Sequence, residues 1–341
     1  MDITETLKTL SACYGPSGCE TGIREKIAEL AAPYADRIYT DVMGNLIAVK
    51  SPSAKDDSIA PADFPRLMFA AHMDSVGLMV TYIEESGLLR FGAVGVPDLA
   101  SLKAAAVRFE NGTSGTVGWD ADAKEPSADS MFIDIGAKSR KEAEERVRCG
   151  DIAVYDAPAR ALGRDRIAGP YMDNRAGVAA QLLAMELLKA PKYECFFVFT
   201  AQEEVGHRGA KPAVFGIDPQ YAVVCDTTYS DDIPGSKHVG TAVLGGGAAV
   251  KVMDKSVICH PEMVSALKAV AGKKKIPCQT DIIQKGGTDG SDMRKNASGV
   301  WTGGVSIATR CIHSPQEVCS ISDIEAAGRL MAAFAETKPG F

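Results

Sequence analysis

Apolar and polar positions divide the chain into three stretches with different periods. In the first, Ile23, Ile27, Leu30 and Ala31 fall at helical intervals behind Ser17 and Glu20, whose spacing is that of a capping box, so a helix is predicted there. A Gly44-Asn45 turn precedes a strand-like 46–49; a polar, Pro-bearing 51–65 reads as a surface loop and an apolar 67–71 as a buried strand. From about 78 to 163, short β-like segments recur instead, at 78–83, 88–94, 104–109, 116–119, 131–135 and 152–155. Gly, Asn and Asp lie between them, and one charged helix interrupts at 139–148. From about 164 onward, strands and helices alternate. Residues 176–188 are apolar nearly all round, which predicts a buried helix stopped by Pro191. Short apolar strands follow at 195–200 and 221–225, and Pro261 opens a helix to about residue 273. The last helix carries Ala327, Leu330, Met331 and Phe334 on one stripe, behind a second capping-box spacing at Ser322 and Glu325. This alternation implies an α/β unit with its sheet covered on both faces, residues 1–77 and 164–341, interrupted by a β-rich unit, residues 78–163.

Composition narrows the function classes. At 341 residues with 46% hydrophobic and 24% charged positions, the chain can bury a core without staples. A formal net charge of −7 argues against nucleic acid or an anionic membrane as partner. The nine cysteines are odd in number and form no C-x-x-C pair, so they read as small buried hydrophobes of a reducing compartment. The acidic amino terminus lacks a secretory pattern, and no apolar run approaches the roughly 18 residues of a membrane span. The expectation is a soluble, cytoplasmic protein.

The candidate chemistry lies where acids and histidines sit at the ends of these elements, where ligand sites of open α/β sheets gather. His72 follows an apolar strand, and Asp74, two residues on, faces the same side and is placed to orient it. Alone, the two are equally a polar pair at a strand end. Asp173 precedes the apolar helix, where an N-cap is the ordinary role. Glu203 and Glu204 follow the strand 195–200; adjacent carboxylates there are costly without a cation and point differently, which suits one ligand and one base. Asp226 ends another apolar strand, and His313 follows the apolar 305–308. Together, two histidines and these carboxylates form a nitrogen and oxygen set suited to Zn²⁺, Co²⁺ or Mn²⁺. Two such ions sharing a carboxylate can serve hydrolysis.

With these residues in place the chain resembles the M42 family of metalloaminopeptidases, which includes glutamyl aminopeptidases and the TET peptidases. The resemblance runs through Ala71-His72-Met73-Asp74, Met172-Asp173-Asn174-Arg175-Ala176-Gly177, Gln202-Glu203-Glu204-Val205-Gly206, Val224-Cys225-Asp226 and Ile312-His313-Ser314-Pro315. Ile258-Cys259-His260-Pro261 and Gly286-Gly287-Thr288-Asp289 add to it. It implies a zinc-exopeptidase-like mixed sheet flanked by helices, with an inserted β-rich dimerisation domain. It implies two divalent ions per subunit, bridged by Asp173, with His72 and Asp226 completing one and Glu204 and His313 the other. Glu203 would be the general base toward a metal-bridging water, and Asp74 would orient His72. The implied activity is removal of N-terminal residues from peptides, by a homodimer that assembles into a homododecamer.

The chain departs from the family pattern in places. His207 stands where the family usually has Leu, four residues after Glu203, and is expected beside the base or on the pocket wall rather than as a ligand. Gly290-Ser291-Asp292 stands where small apolar residues are commoner, and the insertion drifts around Val94-Gly95-Val96-Pro97-Asp98. Asp289 reads equally as an N-cap or a pocket residue, His260 as structural and His238 as surface. Three rivals remain: a related metal-dependent deacylase or carboxypeptidase, an endoglucanase-type glycoside hydrolase working with paired carboxylates, and a non-catalytic assembly protein. The glycosidase needs neither histidine, and only 6% of residues are aromatic.

Overall fold

The computed structural model describes residues 1–52, 64–125, 127–236 and 240–338. Most of the loop expected at 51–65, and His238, lie outside the described residues.

Four strands run parallel at the centre of an 11-stranded mixed sheet, in the order Glu194–Thr200, Arg66–His72, Tyr221–Tyr229 and Trp301–Arg310. Antiparallel strands flank them, Leu46–Lys50 on one side and Ala248–Met253 and Glu317–Ser320 on the other. The strand Arg66–His72 explains why these runs are apolar throughout. Leu67, Phe69 and Ala71 point into one core and Met68 and Ala70 into another, because successive side chains alternate between faces. The first core holds the helices Ile3–Ala12, Thr21–Ala31, Met172–Leu187, Pro261–Lys274 and Ile321–Ala335. The second holds Ala210–Ile217 and Gly290–Met293. This is the mixed sheet flanked by helices that the sequence implies.

The middle stretch forms a separate closed barrel. Its strands are Gly77–Ile83, Leu89–Val94, Met131–Asp134, Ser114–Trp119, Ala106–Arg108 and Ile152–Tyr155, in that order round the barrel, all antiparallel. Leu78, Val80, Leu89, Phe91, Val107, Val117, Ile133 and Val154 fill a core of its own. The next strand, Arg160–Leu162, already pairs in the large sheet.

Both capping boxes are absent. The helix Thr21–Ala31 has Glu20 at its N-cap without a side-chain cap. Ser17 instead donates its hydroxyl to the buried carboxylate of Asp74 at 2.6 Å, a charge-assisted bond stronger than a cap on a backbone N–H. The last helix begins at Ile321, two residues early for the second box, and the Ser322 hydroxyl donates to Asp165 at 2.9 Å. Pro261 does open its helix, with His260 as N-cap accepting from the Glu262 N–H and stacked on Trp301 at 4.1 Å.

Candidate metal centre

The residues singled out from the sequence converge at the carboxyl ends of the central strands. His72 closes Arg66–His72, Asp226 lies near the end of Tyr221–Tyr229, and Glu203 and Glu204 turn away from Glu194–Thr200. His313 follows Trp301–Arg310, and Asp173 opens the helix Met172–Leu187, where Asp173 and Asn174 are non-helical and joined by a cis peptide. They line one cavity of about 1070 Å³.

Asp173 stands between two groups. Its Oδ1 lies 3.2 Å from His72 Nε2, which is also 3.6 Å from Asp226 Oδ1. Its Oδ2 lies 3.3 Å from His313 Nε2, which is also 3.1 Å from Glu204 Oε2. Each triad, His72-Asp173-Asp226 and Asp173-Glu204-His313, keeps its donor atoms within 4.8 Å of one another.

The ring orientations call for a cation. His72 Nδ1 faces the Asp74 carbonyl at 3.2 Å, and His313 Nδ1 faces the Val96 carbonyl at 2.8 Å. A carbonyl only accepts, so each Nδ1 carries a hydrogen and donates. Each Nε2 then aims at carboxylate oxygens, an arrangement that is repulsive unless a proton or a metal ion lies between. The charge balance agrees. Burial disfavours a charged His72, yet Asp173, Asp226 and Asp74 outweigh it and hold the imidazolium well above its ordinary range. His313 is raised in the same way, burial being overcome by Glu204 and Asp173. Burial pushes Glu203, Glu204 and Asp226 upward, with neighbouring carboxylates adding to it. Among the described residues, none is a hydrogen-bond partner of the buried Glu204 Oε1. Buried histidine nitrogens, excess buried carboxylates and an orphaned oxygen fit a pair of divalent cations. Donor separations of 3.1–3.6 Å suit bonds of roughly 2.0–2.2 Å to a shared ion.

Asp74 does more than face His72. Its carboxylate lies 3.5 Å from His72 Nδ1 and also accepts from the backbone N–H groups of Glu203 and Glu204, at 3.0 and 3.2 Å. It therefore ties one strand end to the neighbouring acidic turn. His207 lines the cavity with Nε2 3.2 Å from Glu203 Oε1, brought there by a single turn in which the His207 N–H donates to the Glu203 carbonyl. Asp289 neither caps a helix with its side chain nor lines the cavity. It is buried, accepts from the Thr200 hydroxyl at 2.5 Å, and is pushed up to about 6 by that burial.

Two partners escaped the sequence reading. Glu317 accepts from the Asp173 N–H at 2.7 Å and the His313 N–H at 2.6 Å, bracing both triads with one side chain. Its only signal was an acid four residues after His313. Ser17, read as a cap, braces Asp74.

Comparison with known proteins gives the chain a family. The profile of the M42 glutamyl aminopeptidases matches residues 44–330. A protein of Acetivibrio thermocellus, provisionally named an aminopeptidase, is 42% identical over 97% of this chain and 97% of its own. The solved aminopeptidase of Desulfurococcus kamchatkensis superposes with a TM-score of 0.91 at 36% identity, covering 98% of this chain and 94% of that one. The TET1 peptidase of Pyrococcus horikoshii, described as assembling into a tetrahedron or a large octahedral shell, superposes with a TM-score of 0.86 at 31% identity, covering 98% and 99%. The chain belongs to the M42 glutamyl aminopeptidase family and is a metal-dependent hydrolase of peptide bonds.

Proposed function

We propose that the chain is a dinuclear aminopeptidase releasing N-terminal residues from peptides, with one ion held by His72, Asp173 and Asp226 and the other by Asp173, Glu204 and His313. The observation that carries this reading is the division of Asp173, one oxygen toward each histidine. The donor set suits Zn²⁺ or Co²⁺, with Mn²⁺ a third option. When bound, the ions would supply Lewis acidity that polarises the peptide carbonyl and lowers the pKa of water, so that its deprotonated form can attack. Glu203, on the cavity wall beside both triads, takes the proton from the attacking water and returns it to the leaving amine. Asp74 holds the turn that presents Glu203 and Glu204. The surplus of buried carboxylates favours a substrate with a free α-ammonium, hence an exopeptidase. The sheet unit, read from the sequence as residues 1–77 and 164–341 and taking in the strand Arg160–Leu162 as well, is the catalytic unit, and the barrel within 78–163 is the dimerisation unit of a homododecamer; the shell-forming relative supports a homo-oligomer. No described helix is long and apolar enough to cross a membrane, and we place the enzyme in the cytoplasm.

The test loads metal-free protein with Zn²⁺, Co²⁺ or Mn²⁺ and assays free and N-acetylated peptides. Cleavage of free peptides alone is expected. Cleavage of blocked peptides points to the deacylase or carboxypeptidase rival, and failure on free peptides with every metal overturns the reading. Glu203→Gln should retain both ions and lose roughly 10²–10⁴-fold in kcat.

A further inference from the structure

The two departures from the family pattern nearest the acid cluster, His207 and the Ser291-Asp292 pair, are far apart in sequence and meet in the fold. His207 Nδ1 lies 3.0 Å from the Ser291 hydroxyl and 3.8 Å from Asp292 Oδ2, while Nε2 lies 3.2 Å from Glu203 Oε1. The imidazole thus bridges the short helix Gly290–Met293 and the Glu203 carboxylate across the cavity wall. Among the described residues, no other side chain makes a hydrogen bond or ion pair with that carboxylate.

The bridge is built rather than incidental. His207 has a left-handed backbone (φ +58°), which directs its ring inward after the single turn from Glu203. A Cβ on Gly287 would come within 3.3 Å of the ring's Cε1, so the bare backbone there leaves room for the imidazole. Ser291 is 3% exposed, so its hydroxyl has few partners besides the ring. Against an ionised Glu203, an Nε2 at 3.2 Å is an attractive neighbour only when it carries a hydrogen. The Ser291 hydroxyl can donate to Nδ1 or accept from it, so it braces the ring in either case.

We infer that His207 is a positioning residue for the reaction: its Nε2–H aims the Glu203 carboxylate, and Ser291 fixes the ring that does so. This rests on the reading of Glu203 as the base. A glutamate has three rotatable bonds, and a base displaced by about 1 Å can lose on the order of 10²-fold in rate. A partner that locks one carboxylate oxygen leaves the other free for the proton.

The experiment uses the metal-loaded full chain and steady-state kinetics on a free peptide, with metal content and thermal unfolding measured alongside. His207→Leu is expected to lower kcat roughly 10–100-fold with KM within about twofold, and both ions retained. His207→Gln, which keeps an N–H donor, should recover a large part of that loss. Ser291→Ala should lower kcat in the parent and leave it unchanged in the His207→Leu background, because its effect passes through the ring. In the Glu203→Gln background, His207→Leu should do nothing further. A readout independent of turnover is ¹⁵N–¹H NMR of the metal-free protein, where the His207 ring, assigned by its loss in His207→Leu, should show a hydrogen on Nε2 and shift in Ser291→Ala.

Unchanged kcat in His207→Leu overturns the inference. So does a rise in KM alone, which makes His207 a wall of the substrate pocket, or additive effects of His207→Leu and Ser291→Ala. Should His207→Leu lose its metals or misfold, the His207→Gln and Ser291→Ala comparison decides. If Glu203→Gln keeps full turnover, the base assignment itself has failed. If Glu203→Gln is inactive and the His207 variants are not impaired, only this inference falls.

Discussion

The two triads share Asp173 but are supported from different parts of the molecule. The His72–Asp226 triad is braced from within the sheet unit. His72 is 2% exposed and Asp226 5%, and Asp74, itself held by Ser17, stands behind them. The Glu204–His313 triad leans on the barrel. His313 Nδ1 donates to the Val96 carbonyl, while the His313 carbonyl accepts from the Asp98 N–H and the Tyr155 hydroxyl, each at 3.0 Å. Val96 and Asp98 lie just past one barrel strand, and Tyr155 ends another. The His313 side chain is 18% exposed against 2% for His72. One triad is therefore preset by the sheet, whereas the other is completed by the junction of two units. Damage confined to the barrel should weaken one of the two proposed ion sites and spare the other.

The largest expected effect removes what the two triads have in common. Asp173→Ala should abolish retention of both ions and lower turnover by at least about 10³-fold. Metal analysis after gel filtration checks it. Retention of one ion at parental affinity would show that Asp173 belongs to one triad only, and the comparison would lose its shared pivot.

A change in the barrel should separate the two. Gly95 has a left-handed φ of +72°, and a Cβ there would meet Val76 Cγ1 at 3.0 Å and Glu204 Cβ at 3.2 Å. Gly95→Ala is both strained and crowded against Glu204, a proposed ligand, so segment 95–98 must shift away from Glu204 and His313. The expected result is one class of site weakened roughly 10–100-fold and one unchanged, read by calorimetric titration of the metal-free protein. Equal weakening of both sites would break the distinction between a preset and a completed triad.

The difference between the triads also marks what could be read in the chain. His72, Asp226 and Glu204 stood out because each follows an apolar run buried on both faces, and the barrel strands because turn residues bound them. The braces were not legible, because they depend on approaches between distant segments. Ser17 reaches Asp74 across 57 residues, and the pattern Ser-x-x-Glu looks the same whether its hydroxyl meets a helix N–H or a remote carboxylate. Glu317 reaches back 144 residues to the Asp173 N–H. The Val96 brace is a backbone carbonyl, which no side-chain pattern encodes. His207 could be placed near Glu203 from its i,i+4 spacing, whereas its contact with Ser291 spans 84 residues and needed the fold.

The smallest expected effect asks whether the His313 triad has a second anchor within the sheet unit besides Glu317. Arg310, at the end of the strand that leads to His313, pairs with Asp232 through two hydrogen bonds of 2.8 and 2.7 Å. The guanidinium, against modest burial, holds the Asp232 carboxyl down at about 2. A carboxyl lowered from an unfolded value of about 3.9 stabilises the folded state above that pH and loses the contribution as pH falls toward 2. The pair is partly open to solvent, so screening reduces its worth to about 1 kcal/mol. Asp232→Asn should therefore lower the melting temperature of the metal-free protein by about 1–2 °C between pH 5 and 7, with the gap to the parent narrowing below about pH 4. A gap that persists unchanged at pH 3 would mean that the residue acts through shape rather than charge. If the variant also weakens one of the two proposed metal sites and not the other, the Arg310–Asp232 pair joins Glu317 as a sheet-unit support of the triad that the barrel completes. If neither site changes, Glu317 and the barrel junction hold that triad without help from the Arg310–Asp232 pair.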